Sequence, residues 1–458
     1  MDEKKKKILK IGIISVSVIL GIYLILSVFF TNRFYFGTKV NGINIGGQTI
    51  QAAKDKVKEE IGSYNLEIEG RDGFKANISG KDIDLKFNDT NQITNLKENQ
   101  EAFKWPVGVL SKKEANLNDY VTYDKEKLTE VINNLDCFKK DKVTNPKNPK
   151  FVYKDGSYEV EKEVMGNKLN KEATVNAIKD AISNDKSSLN LDESKVYIDP
   201  KYTTESSKVN KTKDTLDKYV KTKVTYTFGD KTQVVDGAEI NKWLYVDENL
   251  NPQIDYNKVS AFVSGLGRAH NTIGRGIMFK ATDGRMIAVP GGNFGWQISN
   301  SGETEKLISD IKEGKDVTRE PVYAFKGIVQ GSNEIGNTYV EIDLGKQHLW
   351  YYKDGALVVE SDIVTGNESK KFSTPPGLFR LNYRERNATL KGENYSQPVS
   401  FWMPFNGGIG LHDANWRNKF GGDIYKNSGS HGCVNLPPQV AETIFNNISA
   451  GTPVVCYN

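Results

Sequence analysis

Cysteine is scarce in this sequence: three residues, Cys137, Cys433 and Cys456, in a chain of 458. So sparse a set excludes a disulfide framework, which belongs to short, cysteine-dense domains, and leaves at least one thiol unpaired. A surplus of one charge is missing as well. Lys and Arg total 62 against 58 Asp and Glu, too even for the concentrated field of a nucleic-acid binder, so nucleic acid is set aside as a partner. Histidine is limited to four residues. The rest is ordinary: 38% apolar and 26% charged residues are the proportions of a folded globular protein, and the length predicts several cores rather than one.

One uncharged run reaches membrane length. Residues 11–30 are rich in Ile, Leu and Val, and twenty such residues match a helix that crosses a bilayer. Lys4, Lys5, Lys6, Lys7 and Lys10 precede the run, whereas only Arg33 and Lys39 open its far side. The positive-inside rule therefore predicts a cytoplasmic tail at 1–10, a transmembrane helix at 11–30 and the remainder outside the cell. A cleaved signal peptide would have a shorter apolar core followed by small residues, but Phe29-Phe30-Thr31-Asn32-Arg33-Phe34 is bulky. Outside the cell an unpaired, exposed thiol is a liability unless it is used.

Residues 31–70 read as a juxtamembrane hairpin about Asn41-Gly42 and then a helix with Ala53, Val57 and Ile61 on one face. Residues 151–160 read as two strands about Asp155-Gly156, followed by a helix through Ile178 and Ile182. The same order returns about 129 residues later. Residues 278–289 pivot on Asp283-Gly284, then come Gly295-Trp296-Gln297-Ile298 and a helix with Leu307, Ile308 and Ile311. Two α+β units are expected, at 71–205 and 206–324. From 325 to 458 the texture becomes β-rich: residues 338–344 alternate, Asp354-Gly355 turns, residues 357–364 favour strand, and residues 454–457 read as a closing strand. Helical periodicity there is confined to about 439–448.

Two of the four histidines lie close to a cysteine in sequence: Gly410-Leu411-His412-Asp413, then Ser430-His431-Gly432-Cys433-Val434-Asn435. A thiol of ordinary pKa is mostly protonated at neutral pH, so a nucleophilic cysteine needs an imidazole to take its proton. His412 on a neighbouring strand can approach the sulfur more freely than His431, two residues away. Gly432 permits a tight turn before Cys433, and amides around that turn could converge on an oxyanion. Cys137 and Cys456 have no neighbouring base.

The run 430–435 with His412 upstream resembles the signature of the L,D-transpeptidase catalytic domain, also called the YkuD domain. Val364-Thr365-Gly366, Thr374-Pro375-Pro376-Gly377-Leu378-Phe379 and Gly408-Ile409-Gly410 fall in the matching order. The two preceding units resemble peptidoglycan-binding domains, with Asn293-Phe294-Gly295-Trp296 as the nearest match, the equal alternative being α+β spacers that hold the catalytic domain away from the membrane; Trp296 reads as a core residue. The resemblance implies a multidomain chain: an N-terminal transmembrane helix, two α+β peptidoglycan-binding units and a C-terminal, mostly-β catalytic domain. It also implies an enzyme that forms peptidoglycan cross-links, with stem peptides as donor and acceptor. Cys433 would attack a tetrapeptide stem, expel its terminal D-alanine and pass the acyl group to an amine. His412 would be the base, its imidazole oriented by the carbonyl or the carboxylate of Asp413. Ser430, His431, Gly432 and Asn435 occupy supporting positions. Tyr395, Trp402, Trp416 and Arg417 are candidates for donor contact, with packing an equal alternative for each aromatic.

No cofactor or metal is expected. His412, His431 and Cys433 lack a fourth zinc ligand in usual spacing. A sortase would need an arginine after the cysteine, and a papain-like hydrolase a histidine after it; neither follows Cys433. The remaining alternatives are L,D-carboxypeptidase trimming of stems and a non-catalytic wall-binding scaffold.

Overall fold

The computed structural model describes residues 2–111, 114–331, 333–392 and 395–458. The chain forms two compact units, one of Met1–Lys150 with Glu161–Ser206 and one of Phe151–Val160 with Ser207–Asn458.

The first unit opens with helix α1 (Glu3–Thr31), which is long and apolar enough to cross a membrane. The lysine cluster is part of this helix, as lysine's good helix propensity allows. Two short strands, Lys39–Val40 and Ile43–Asn44, then pair about Asn41 and Gly42, whose positive φ values of 47° and 82° suit a primed hairpin turn.

Two α+β repeats follow, built in the same order. In the first repeat a helix (Ile50–Gly62) leads into antiparallel strands Asn65–Glu69 and Lys75–Ser79. A short strand pair (Lys86–Phe87 with Val121–Thr122), a helix (Lys125–Asn133), a hairpin (Lys150–Lys154 and Ser157–Glu161) and a helix (Lys171–Ser183) come next. Strand Ser188–Asn190 closes the repeat by pairing in parallel with Asn65–Glu69. The sheet therefore runs across the boundary expected at residue 70, because its central strand is Asn65–Glu69.

The second repeat runs through helix Ser207–Lys221, strands Val224–Phe228 and Lys231–Val235, and the short pair Leu244–Val246 with Pro252–Ile254. Helix Tyr256–His270, hairpin strands Ile277–Lys280 and Met286–Val289, and helix Asn300–Glu313 follow. Its closing strand, Val317–Arg319, again pairs in parallel with the first. The last helices correspond position by position: Asn170 and Ser299 cap them, and Thr174, Ile178 and Ile182 are buried where Glu303, Leu307 and Ile311 are buried.

The hairpin of residues 151–160 belongs to the second unit. Tyr158 enters a core with Val220 and Trp243; its amide donates to Asp217 Oδ1 at 2.7 Å and its hydroxyl to Asn241 Oδ1 at 2.6 Å.

The C-terminal domain is two sheets and a helix. One sheet contains β1 (Tyr339–Asp343), β2 (His348–Lys353), β3 (Ala356–Asp362), β4 (Gly377–Arg380) and β9 (Pro453–Tyr457), in the order β3-β2-β1-β9-β4. The other contains β5 (Glu385–Gly392), β6 (Tyr395–Asn406), β7 (Ile409–Asp413) and β8 (Val434–Leu436) in sequential order. Val340, Ile342, Leu349 and Tyr351 from the first sheet meet Met403, Phe405, Leu411 and Val434 from the second, with Ile444 and Phe445 of helix Pro438–Asn447 filling the core. This period-2 burial is what residues 338–344 predict for the inner face.

The outer face of β1 is covered too. Glu341 and Asp343 are 0% and 1% exposed. Arg285 pairs with Asp343 at 2.6 Å, and Glu341 accepts from the amide and hydroxyl of Thr282 at 2.9 and 2.6 Å. Phe279 and Val289 share a core with Leu378, Val455 and Tyr457. The hairpin of the second repeat is thus built into the wall of the C-terminal domain.

Candidate active site

His412 lies on β7 and Cys433 immediately precedes β8; the two strands pair in parallel, with His412 opposite Asn435. This brings both residues to one open cavity of about 190 Å³, also lined by Leu390, Gln397, Trp416, Arg417, Ser430, His431 and Asn435.

The turn before Cys433 is held from several sides. Ser430 Oγ donates to the Cys433 carbonyl at 2.6 Å and accepts from the Gly432 amide at 3.0 Å. Thr374 Oγ1 donates to the Gly432 carbonyl at 2.7 Å and accepts from the Gly366 amide at 3.0 Å. Gly432 has φ +121°, and a Cβ there would stand 3.2 Å from Ile409, so both conformation and space favour glycine. The Gly432 amide, bound to Ser430, is committed to the turn; this removes it from the group of amides expected to meet an oxyanion.

Cys433 is 8% exposed. Burial pushes its thiol up to about 11, opposed by the Gly410 amide directed at the sulfur. The Sγ lies 3.6 Å from the Gly408 carbonyl. His412 is shifted in the opposite sense: burial lowers its pKa, and nearby Arg417 lowers it further. Both shifts favour the uncharged forms, imidazole and thiol, of two groups that line the same cavity.

His412 Nδ1 lies 2.8 Å from the Asp413 carbonyl. A carbonyl can only accept, so Nδ1 carries the hydrogen, which leaves Nε2 as the basic nitrogen. Of the two orienting groups weighed from sequence, the carbonyl fills the role. The Asp413 carboxylate is occupied elsewhere, accepting from the Phe401 amide at 2.8 Å.

The other predicted residues divide. Trp416 is 43% exposed, with its ring centroid 6.0 Å from that of His412. Arg417 donates from Nη2 to the Ser428 carbonyl at 2.7 Å, and burial lowers its pKa. Arg417 Nε and Asn435 Oδ1 are buried without a hydrogen-bond partner among the described residues. His431 stacks obliquely near Phe372, with centroids 4.7 Å apart. Trp402 packs with Ala388, Val399 and Cys433, with its ring centroid 6.0 Å from that of His412, and is not among the cavity's lining residues. Tyr395 opens β6, and its side chain lies outside the described residues. Gln397 and Leu390 line the cavity and were missed, because their place depends on how β5 and β6 pair rather than on any local motif. Among the described residues no group of three or more His, Cys, Asp or Glu is placed to hold a metal ion.

A buried thiol and a tautomer-locked neutral imidazole, sharing a cavity on a two-sheet β domain, define a cysteine-dependent acyl-transfer enzyme. Residues 337–456 match the family profile of the YkuD L,D-transpeptidase catalytic domain. Residues 77–190 and 202–319 each match the profile described as "Putative peptidoglycan binding domain". The L,D-transpeptidase of Enterococcus faecium, in a crystal structure of a mutant, is 37% identical over 53% of this chain and 98% of its own, with a TM-score of 0.44. The catalytic domain of the Enterococcus faecium enzyme, solved by NMR acylated by ertapenem, is 45% identical over 27% of this chain and 98% of its own, with a TM-score of 0.25. An L,D-transpeptidase from Mycobacterium smegmatis is 24% identical over 27% of this chain and 59% of its own, with a TM-score of 0.24. No curated protein matches the chain. The chain belongs to the L,D-transpeptidase family.

Proposed function

We propose that Cys433 is the nucleophile and His412 the general base of a peptidoglycan-cross-linking reaction carried out by residues 325–458. The observation that carries this reading is the Nδ1 contact of His412 with the Asp413 carbonyl, which leaves Nε2 basic in the cavity that holds Cys433. As the Cys433 sulfur attacks the carbonyl before the terminal D-alanine of a tetrapeptide stem, His412 Nε2 takes the thiol proton. Collapse of the tetrahedral intermediate breaks the peptide bond, and the proton passes from His412 to the departing D-alanine amine. An acceptor amine then attacks the thioester and gives its proton to His412; the carbon–sulfur bond breaks, and the departing sulfur takes that proton back from His412 to restore the thiol. Because burial pushes the thiol pKa up, the sulfur needs His412 to take its proton in order to act as a nucleophile at neutral pH.

Arg417 and Asn435 are assigned to donor binding, since each offers a buried polar atom that lacks a partner among the described residues. Trp416 is assigned to the cavity rim. Ser430, Gly432 and His431 shape the turn that presents the sulfur. Helix α1 is assigned as a single membrane span with its lysine-rich end in the cytoplasm, so that the repeats and the catalytic domain face the wall.

Incubation of the protein with purified disaccharide tetrapeptide tests the reaction. A product with the mass of a dimer less one D-alanine is expected; D-alanine loss without dimers would instead mean trimming of stems. By analogy with the ertapenem-acylated Enterococcus faecium domain, carbapenems are expected to add to Cys433, and peptide mapping that places no adduct there would contradict the assignment.

A further inference from the structure

The two repeats differ at one place in their chain path. Between the paired short strands, the second repeat uses residues 247–251, whereas the first uses residues 88–120. This additional segment contains helix Gln92–Glu98, a turn at Ala102–Lys104, helix Trp105–Leu110 and strand Glu114–Ala115. It does not complete the repeat's sheet; Glu114–Ala115 pairs with Lys39–Val40, just beyond α1.

The segment grips α1 itself. Tyr23 donates its hydroxyl to the Phe103 carbonyl at 2.9 Å, and Trp105 Nε1 donates to the Tyr23 carbonyl at 3.3 Å. Trp105 also packs on Phe30, with centroids 6.0 Å apart. The Tyr35 hydroxyl donates to the Glu101 carbonyl, and Gly108 lies so close to Tyr35 that a Cβ would meet its ring at 2.2 Å. Ser27 and Phe30 are buried, at 1% and 0% exposure. Tyr23 is eight residues before the end of α1, about 12 Å along the axis at 1.5 Å per residue. The segment therefore lies beside a part of the helix that is still within the apolar run.

Its own free side is apolar. Phe103, Val107 and Leu110 are 62%, 73% and 87% exposed. In residues 102–110 the only charge is Lys104, and Lys112 and Lys113 follow in sequence. Aromatic and aliphatic side chains bordered by lysines are the composition of segments that lie in a membrane interface.

We infer that residues 102–110 are a second membrane-contacting element, seated in the outer leaflet of the bilayer that α1 crosses and fixing the angle at which the first repeat leaves the membrane. The inference rests on the assignment of α1 as a membrane span. Its occupant is the lipid leaflet, because the exposed apolar face is continuous with the helix.

The test uses the full chain in phosphatidylcholine–phosphatidylglycerol vesicles, in a Cys137→Ser, Cys433→Ser background that leaves only the fully buried Cys456. An environment-sensitive fluorophore is attached in turn at Leu110→Cys, at Ile14→Cys within α1, and at Glu248→Cys in the corresponding loop of the second repeat. Quenching by brominated acyl chains and by aqueous iodide is measured for each. The label at 110 is expected to shift to the blue, to be quenched by the brominated lipid and to escape iodide, as the label at 14 does, while the label at 248 behaves oppositely. A label at 110 open to iodide while the label at 14 is quenched by lipid overturns this inference and leaves the span intact. Protection from both quenchers at 110 means a protein partner covers the face and also overturns it. Iodide access at both 14 and 110 overturns the membrane span, and the inference with it.

Discussion

Buried charge is handled in opposite ways by the second repeat and by the catalytic cavity. In the repeat, Glu303 is fully buried, yet it accepts from Arg319 Nη1 and Nη2 at 2.9 and 2.7 Å, from the Val322 amide at 2.6 Å and from the Tyr226 hydroxyl. Asp310, 4% exposed, accepts from Arg319 Nε at 2.8 Å and from Lys306. Both of these carboxylates are matched. In the cavity, burial raises the Cys433 thiol, lowers His412 and lowers Arg417, and Arg417 Nε and Asn435 Oδ1 find no partner among the described residues. The contrast supports the proposed assignment of Arg417 and Asn435 to donor binding. The first repeat sharpens the point, since Thr174 and Ala181 stand where the second has Glu303 and Asp310. The ionic cluster is therefore not a demand of the fold.

Four changes would break or sharpen this contrast. The largest effect is expected at Cys433: Cys433→Ala should abolish cross-linking while circular dichroism and melting change little, because only one sulfur is removed. Next is Arg319→Leu, which leaves buried Glu303 without a cation and Asp310 with Lys306 alone, and should cost about 3–5 kcal/mol of unfolding free energy in denaturant titration. Replacing the whole set, as Glu303→Thr, Asp310→Ala and Arg319→Leu together, should cost much less than that single change; an equal or larger loss would mean the cluster does more than compensate itself. Arg417→Ala should raise the KM for the tetrapeptide donor by an amount corresponding to about 1.5–3 kcal/mol of lost charged hydrogen bonding, with little change in melting temperature. An unchanged KM with a lowered melting point would move Arg417 to the structural side of the comparison.

The smallest effect is the pH dependence near neutrality. His412 titrates below its ordinary value of 6.5 because it is buried, so it is a neutral base at pH 7. As pH falls through its lowered pKa it takes up a proton, and the acylation rate should then drop roughly tenfold per unit. A rate constant that already declines between pH 8 and 7 would contradict that direction of shift.

How much of this was legible in the sequence depends on how local each feature is. His412 and Cys433 stood out because few imidazoles and thiols exist and two short motifs hold them. The turns at Asp155-Gly156 and Asp354-Gly355 were legible too, and their φ values of 49° and 87°, and 49° and 81°, are those of tight hairpin turns. Backbone and side chain of Asp413 could not be told apart without coordinates, and the carbonyl proved to be the partner of His412. The alternation of residues 338–344 marked a strand but did not show what covers its second face. Glu341 and Asp343 are buried, because a hairpin from another domain supplies Thr282 and Arg285. That pairing spans about sixty residues, and no local pattern encodes it. The contact of residues 102–110 with α1 is hidden for the same reason.

In the proposed reaction the sulfur of Cys433 carries the acyl group. Rapid quenching of the protein with the tetrapeptide donor, followed by intact-mass measurement and peptide mapping, tests it most directly. A transient, hydroxylamine-labile adduct of the donor less D-alanine on the peptide containing Cys433 is the expected result. An adduct on any other residue, or D-alanine release by the Cys433→Ala protein at the wild-type rate, would contradict it.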